Sequence, residues 1–285
     1  MNKKLLQLFS LKFNPFSPDV PLEALRKTPA LESFFWKFEL TLAREGGFAL
    51  VSGESGTGKS VVLRLLAERL SLQPELLIGI LSRPQANLAD FYREMGDVFS
   101  VPLRPHNRWA GAKSLRDRWQ AHLEASLVRP VLLVDEAQEM NATVLNELRL
   151  LLSTHFDSRQ LLTVVLAGDS RLLDKLRLDD LLPLSSRIRA RLALESLQPD
   201  ELQKTLVHML SAAGNPSLMT RELITTLAEH ALGNLRVLSA LASDLLAQAA
   251  QRELHQLDEK LYFQVFSPPS SPLPKRNSSR ASVRS

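Results

Sequence analysis

The sequence contains no cysteine. This absence excludes a disulfide framework, a zinc site with cysteine ligands and a thiol nucleophile. It is typical of proteins that work in a reducing compartment, so we expect a cytoplasmic location. Of the 285 residues, 45% are hydrophobic, which is enough for a sizeable core. Global disorder is therefore not expected.

Long apolar runs are also missing. The N-terminal stretch starts with charge, but its apolar run is brief, is interrupted by Gln7, and is followed at once by Lys12 and Pro15. A transmembrane helix needs about 20 mostly apolar residues. The sequence therefore predicts neither a signal peptide nor a membrane span, and no membrane partner.

Acidic residues are absent from residues 267–285, whose charged residues are Lys275, Arg276, Arg280 and Arg284. These four account for the whole formal charge of +4, so residues 1–266 carry no net charge. The segment is rich in proline and serine, which predicts disorder. It either contacts nucleic acid or an acidic partner, or it is a solvated terminus without a specific role.

What the sequence does contain is organised around a phosphate-binding loop. The stretch Gly53-Glu-Ser-Gly-Thr-Gly-Lys-Ser60 fits the Walker A pattern G-x-x-x-x-G-K-[ST]. An apolar run precedes it and a helical pattern follows, as this motif requires. Elsewhere the patterns predict helices over 30–45 and near 172–182 and a buried strand over 75–81. We expect nine residues to bind the nucleotide: Gly53, Glu54, Ser55, Gly56, Thr57, Gly58, Lys59, Ser60 and Val61.

The residue types of this loop predict its cofactors. Glycines let backbone N–H groups curl around a phosphate, and the following helix adds the positive end of its dipole. Lys59 reaches the β- and γ-phosphates, while the Ser60 hydroxyl can ligate Mg²⁺. ATP and Mg²⁺ are the expected cofactors.

A second signal lies about 75 residues further on. An apolar run predicts a buried strand, and Asp135 and Glu136 follow at its carboxyl end, where α/β folds place their chemistry. Asp135 is expected to hold Mg²⁺, and Glu136 to polarise the attacking water as general base. The next apolar strand ends at Asp169, which is placed to sense the γ-phosphate or orient water.

Basic residues follow in the C-terminal half. Arg187, Arg189 and Arg191 alternate along a strand and share one face. Either one of them is an arginine finger for the ATP of a neighbouring subunit, or all three are solvated. Four helical segments, near 199–213, 220–231, 234–251 and 258–266, predict a lid. Arg236 begins the third segment and can point back to the γ-phosphate.

The first 118 residues hold two aromatic-rich segments. Prolines make residues 1–30 irregular, and there Phe13 and Phe16 either pack beside a base or anchor the N-terminus to the core. Residues 101–118 are rich in basic residues, and Trp109 and Trp119 are interleaved with them, which suits nucleic-acid contact. The alternative is a solvated loop and an amphipathic helix. The expected DNA contacts are Arg104, Arg108 and Lys113.

In chain order these signals resemble an AAA+ ATPase over about residues 10–255. Shorter motifs are similar to its ExeA-like branch, which includes secretion-pathway ATPases and ATP-dependent regulators of DNA transposition related to TnsC, TniB and MuB. The motifs are Asn14-Pro15-Phe16, Gly47-Phe-Ala-Leu-Val-Ser-Gly53, Asp135-Glu-Ala-Gln138, Leu166-Ala-Gly168, Ser186-Arg-Ile188 and Gly233-Asn-Leu-Arg236.

The resemblance implies an α/β fold with a three-layer αβα P-loop domain built on a parallel sheet. That domain spans 31–196, between an N-terminal extension (1–30) and an all-α lid domain (197–266), with the tail at 267–285. It makes Lys59 and Glu136 catalytic, and it implies a ring or helical filament with ATP between subunits. It places Asp169 as sensor 1, Arg187 as finger and Arg236 as sensor 2.

One position departs from the branch pattern, which usually has an amide where this chain has Asp169. A carboxylate donates no hydrogen bond to a γ-phosphate unless it is protonated. Asp169 then orients water, or Ser170 substitutes for the amide.

These features lead us to expect an ATP switch that oligomerises on double-stranded DNA and recruits a transposase. The short chain, the missing membrane span and the basic segments favour it. The alternative is a secretion or envelope-assembly ATPase, whose relatives carry a membrane span and a further domain that 267–285 cannot hold. A non-hydrolysing interaction module is disfavoured by the intact Glu136.

Overall fold

A computed structural model describes residues 2–103, 108–125, 128–154 and 158–266. The candidate DNA contact Arg104 and the basic tail 267–285 lie outside these residues, and what we expect of them stays a prediction.

The strands form one large parallel sheet and one small hairpin. In chain order they are β1 (Gly47–Gly53), β2 (Leu76–Leu81), β3 (Arg129–Val134), β4 (Ser153–Thr154), β5 (Arg159–Gln160), β6 (Thr163–Gly168) and β7 (Ile188–Leu194). The large sheet has the order β2-β3-β6-β1-β7, and β4 pairs with β5. Parallel pairing aligns Ser52 with Gly168 and Val134 with Leu166. The carboxyl ends of β1, β3 and β6 therefore meet at one edge.

Helices account for most of the remaining chain. They are α1 (Asn2–Leu8), α2 (Pro29–Lys37), α3 (Ala43–Glu45), α4 (Lys59–Ser71), α5 (Leu88–Val98), α6 (Arg108–Ala125), α7 (Ala142–Leu152), α8 (Ser170–Lys175), α9 (Leu182–Ser185), α10 (Pro199–Ala212), α11 (Arg221–His230), α12 (Leu235–Gln251) and α13 (Glu259–Phe266). No helix in the described part of the chain combines the length and apolarity needed to cross a bilayer.

The large sheet is covered on both faces. Phe48 and Leu50 of β1 belong to one apolar cluster, whereas Ala49 and Val51 belong to another. This separation follows from the two-residue repeat of a strand, which sends neighbouring side chains to opposite faces. The predicted α/β class with three αβα layers is confirmed.

The four predicted lid helices are confirmed as α10 to α13, which surround a third apolar cluster. That cluster also takes in Phe9, Leu11 and Phe16 from the N-terminal segment. The prediction that all of 1–30 is irregular was wrong at the start of this segment, because α1 forms before the first proline, Pro15. The proposed domain limits stay a prediction.

Two predicted helices differ from the structure. The helix expected over 30–45 contains a π-helical turn, Phe38–Leu42, beside which Thr41 Oγ1 donates to the Lys37 carbonyl at 2.7 Å. Such bonds to the carbonyl four residues back compete with regular helix geometry. The helix expected near 172–182 is split, since α8 ends at Lys175 and α9, with Pro183 in its first turn, starts at Leu182.

One buried carboxylate joins three helices. Glu147 of α7 is 3% exposed, and it accepts hydrogen bonds from Tyr92 of α5 and Arg108 of α6. Burial, and then the hydrogen bond to Glu147, raises the pKa of Tyr92, so its hydroxyl stays a donor. The start of α6 is thus held by a charge pair that is buried on one side.

We expect Arg108→Met to lower the free energy of unfolding by about 3 kcal/mol, because the buried carboxylate loses its cationic partner. Urea-induced unfolding followed by circular dichroism measures the change. The double variant Arg108→Met/Glu147→Gln also removes the unpaired carboxylate charge, so it should recover most of the lost free energy of unfolding. A single-variant loss below about 1 kcal/mol would instead mark an ordinary surface ion pair.

Candidate nucleotide-binding site

The loop between β1 and α4 has the backbone of a phosphate cradle. Gly56 and Gly58 have φ of 84° and 105°, in the left-handed region that glycine adopts without a steric cost. Gly58 is the N-cap of the 13-residue α4. The free N–H groups at the start of α4 therefore face the loop, where an anion is favoured.

Lys59 lies across the mouth of this loop. Its side chain is 6% exposed, and Nζ donates to the carbonyls of Gly53 at 2.8 Å and Glu54 at 3.1 Å. Thr57 Oγ1 donates to the Glu54 carbonyl as well, at 2.8 Å. Since these acceptors carry no net charge, the ammonium charge is not neutralised by them and can attract a phosphate.

A cleft of about 870 Å³ opens above the loop. Small-molecule sites usually measure roughly 300–1,000 Å³. The cleft brings together the phosphate loop, the general-base candidate Glu136, the end of β7 and the lid. Of the predicted site residues it is lined by Gly56, Thr57, Gly58, Lys59, Ser60, Val61, Glu136 and Arg236.

The N-terminal segment forms one wall of the cleft. Phe16 is 6% exposed, packs into the lid cluster and also lines the cleft, so it anchors the segment and borders the site at once. Arg64 of α4 donates to the carbonyls of Pro18 and Val20, each at 2.9 Å. The sequence carries no recognisable signal for this clamp, which joins residues 44 and 46 positions apart.

Asp135 and Glu136 stand at the end of β3. Glu136 has a positive φ of 51°, which is unfavourable for a non-glycine residue and is common at functional sites. Asp135 Oδ1 accepts from the Glu136 N–H at 2.9 Å. Carboxylate and hydroxyl oxygens are ligands that Mg²⁺ prefers, so Asp135 and Ser60 fit the cation that ATP brings.

Asp169 follows β6, and its side chain interacts with the helix that it caps, α8. Its carboxylate caps α8 by accepting from the Arg171 N–H at 2.9 Å, and it pairs with the Arg171 guanidinium at 2.8 Å. Burial acts to raise the pKa of Asp169, but bonds from Arg171 and the charges of Arg171 and Lys59 hold it below its ordinary value. An ionised carboxylate only accepts hydrogen bonds, so Asp169 offers the γ-phosphate no donor.

The lid rests directly on the phosphate loop. The Leu235 N–H donates to the Gly56 carbonyl at 3.0 Å, and Asn234 Nδ2 donates to the Ser55 carbonyl at 2.9 Å. Arg236 Nη1 donates to Ser55 Oγ at 2.8 Å. The predicted sensor-2 arginine is therefore beside the loop. Asn234, which is the N-cap of α12, was not predicted as a contact.

The three arginines near β7 lie elsewhere. The strand begins at Ile188, so Arg187 precedes it, where its guanidinium bonds to the Pro183 carbonyl. Arg189 pairs with Glu45 at 2.5 Å, and Arg191 donates to the Ser185 carbonyl at 3.2 Å. None of the three lines the cleft of its own chain.

The candidate DNA contacts separate into different environments. The Arg108 guanidinium is committed to Glu147, whereas Lys113 is exposed and its Nζ lies 5.6 Å from the ring of Trp109. Trp109 is 74% exposed, but Trp119 is fully buried in the core. The exposed Trp109 therefore fits the nucleic-acid contact, whereas the buried Trp119 fits the amphipathic helix.

The sheet order, the phosphate loop, the Asp-Glu pair on β3 and the helical lid together define an AAA+ fold. Residues 43–176 match the family model described as an AAA domain. The chain therefore carries an AAA domain, and such domains are in general P-loop ATPases.

A curated relative extends the similarity beyond this domain. General secretion pathway protein A of Aeromonas hydrophila is 32% identical over 255 residues, which are 88% of this chain and 46% of that protein. The chain thus spans about half the length of the curated relative it matches.

Solved structures share the fold at lower identity. Cdc6p of Pyrobaculum aerophilum has a TM-score of 0.68 at 16% identity, covering 85% of this chain and 67% of its own. The Orc1 protein of Aeropyrum pernix in complex with DNA has 0.65 at 18%, covering 88% and 67%. Domain III of DnaA from Thermotoga maritima has 0.61 at 19%, covering 88% and 96%.

The contact between lid and loop leads to a prediction. A Cβ at Gly56 would lie 2.0 Å from Asn234 Oδ1, so Gly56→Ala should push the lid off the loop. We expect nucleotide affinity to fall by about tenfold or more, roughly the loss of one hydrogen bond to a charged group. Titration with a fluorescent ATP analogue measures this.

Gly214→Ala is the matched control. Its φ of 97° imposes a comparable backbone cost, but its Cβ would meet only Lys12, at 3.5 Å or more. This variant should lose stability and keep its nucleotide affinity. Equal affinity losses in both variants would contradict the proposed contact.

Proposed function

We propose that this protein is an ATP-hydrolysing AAA+ ATPase that works as an oligomer in secretion or envelope assembly. The observation that carries the proposal is the single cleft that gathers Lys59, Ser60, Glu136 and Arg236. The relation to General secretion pathway protein A supports the cellular role.

The roles in ATP hydrolysis follow from the residue types. Lys59 binds the β- and γ-phosphates, and Arg236, held beside the loop by Ser55, offsets charge on the γ-phosphate. Glu136 accepts a proton from the attacking water. Bound Mg²⁺, with Ser60 and Asp135 as its ligands, supplies further positive charge to the phosphates.

Arg187 supports a site that is shared between subunits. It lies just before β7 and does not line the cleft of its own chain. A heterologous contact, in which one subunit's Arg187 meets the next subunit's ATP, generates a ring or a helical filament. A finger of this kind contributes about 10³–10⁵-fold to turnover in other P-loop enzymes.

Arg187→Ala should abolish ATP hydrolysis and leave nucleotide binding intact, as should Glu136→Gln. Mixing the two inactive variants should restore activity, because an Arg187→Ala subunit keeps its own Glu136 and receives a finger from its Glu136→Gln neighbour. Random mixing places this pair at about a quarter of the interfaces.

A phosphate-release assay on the mixture measures the recovery. No recovery at protein concentrations that give oligomers would contradict the shared site. Arg191→Ala, tested alone, shows whether a neighbouring arginine holds the role instead.

The transposition role that we expected has weaker support than its alternative. The proteins named above include a secretion-pathway protein but no transposition protein. The short chain also no longer favours transposition over secretion, since the match covers only 46% of the relative. The transposase partner therefore stays a hypothesis.

DNA binding is a second candidate, favoured by one surface. Trp109 and Lys113 form an exposed aromatic and basic pair at the start of α6. Such pairs bind nucleic acid by stacking and by phosphate contact. One structure of the same fold was solved in complex with DNA.

Trp109→Ala should weaken binding to labelled single-stranded DNA by at least about fivefold in the presence of ATP, since one stacking contact with an unpaired base contributes about 1–3 kcal/mol. Trp36→Ala is the control, because Trp36 is also exposed, at 62%, but lies on α2. Fluorescence anisotropy with ATP and with ADP measures both. If the unmodified protein binds no DNA with either nucleotide, the secretion role stands alone.

A further inference from the structure

Gln138 joins the two strand ends that carry the catalytic carboxylate and Asp169. It lies in the short 3₁₀ helix after β3 and is 3% exposed, although its side chain is polar. Nε2 donates to Glu136, and Oε1 accepts from the Asp169 N–H at 3.3 Å. Both ends of the buried amide are therefore used.

The orientation of this amide is fixed by its partners. The Asp169 backbone N–H is only a donor, so it must face the amide oxygen of Gln138. The NH₂ group is then left to face Glu136, which as a carboxylate is only an acceptor. In a flipped amide, the NH₂ group would face the Asp169 N–H, and the amide oxygen would face the Glu136 carboxylate. Neither hydrogen bond could then form.

The surroundings leave Gln138 little freedom. Lys175 donates to its backbone carbonyl and to that of Met140, which ties the segment to α8. The missing side chain of Gly168 leaves space for the Gln138 amide, because a Cβ at Gly168 would lie 2.8 Å from Gln138 Oε1. Glu136, in contrast, is exposed at the cleft and itself has a positive φ, so its carboxylate needs a fixed partner.

We propose that Gln138 is a positioning residue that holds the Glu136 carboxylate in the orientation for water activation and ties it to the end of β6. Asp169 cannot do this, because its carboxylate is bound to Arg171 and donates no hydrogen bond. The amide of Gln138 supplies the donor that the strand end lacks. The kinetic test of this role depends on the ATPase activity proposed above.

Two variants separate positioning from packing. Gln138→Met keeps the shape and removes both hydrogen bonds, so kcat should fall about tenfold or more with KM and nucleotide affinity unchanged. Gln138→Glu places a second carboxylate beside Glu136. The two like charges repel, so the Glu136 carboxylate loses its orientation and kcat should fall in this variant as well.

Gln120→Glu is the matched control, since Gln120 donates to Glu124 on the surface of α6 at 2.9 Å. It creates the same pair of carboxylates away from the cleft and should leave kcat unchanged. An unchanged kcat in Gln138→Met, or a parallel loss of nucleotide affinity, would overturn the positioning role.

A second measurement does not need turnover. The side-chain NH₂ signal of Gln138 in the ¹⁵N-labelled full chain, assigned by its loss in Gln138→Met, should shift in Glu136→Gln. If the Gln138 NH₂ signal does not shift in Glu136→Gln, the inference is overturned, whatever the ATPase assay shows. A shift in a protein that hydrolyses no ATP keeps the Gln138 contact and refutes the proposed activity alone.

Discussion

The parallel pairing of β3, β6 and β1 is the constraint on which the site depends. Because these strands are neighbours in one sheet and run in the same direction, their carboxyl ends lie side by side. The phosphate loop, the Asp135–Glu136 pair and Asp169 each follow one of them. Residues more than 100 positions apart thus meet without any loop having to bring them together.

The lid adds what the sheet does not supply. The start of α12 contributes Arg236 to the cleft and binds the carbonyls of Ser55 and Gly56. Nucleotide binding and lid position are therefore coupled through the same few atoms. A nucleotide that binds the loop therefore also meets the segment that positions the lid.

The sequence predicted features whose signals are local. Lys59, Ser60, Asp135 and Glu136 sit in short motifs next to apolar strands, and the five large strands follow from apolar runs. Contacts such as Arg64 with Pro18, or Gln138 with the Asp169 N–H, depend on distant segments meeting in space.

Other features were missed because competing local bonds decide them. The π-helical turn at Phe38–Leu42 interrupts a regular apolar pattern, and the Arg171 ion pair turns Asp169 away from the role its position suggested.

The packing of Phe9, Leu11 and Phe16 into the lid cluster has a consequence for folding during synthesis. These side chains precede in the chain the helices that bury them, α10 to α13, so they leave the ribosome before those helices. Domains usually fold in the order of synthesis. Here these side chains stay exposed until α10 to α13 have been made, so the nascent chain needs protection at this segment.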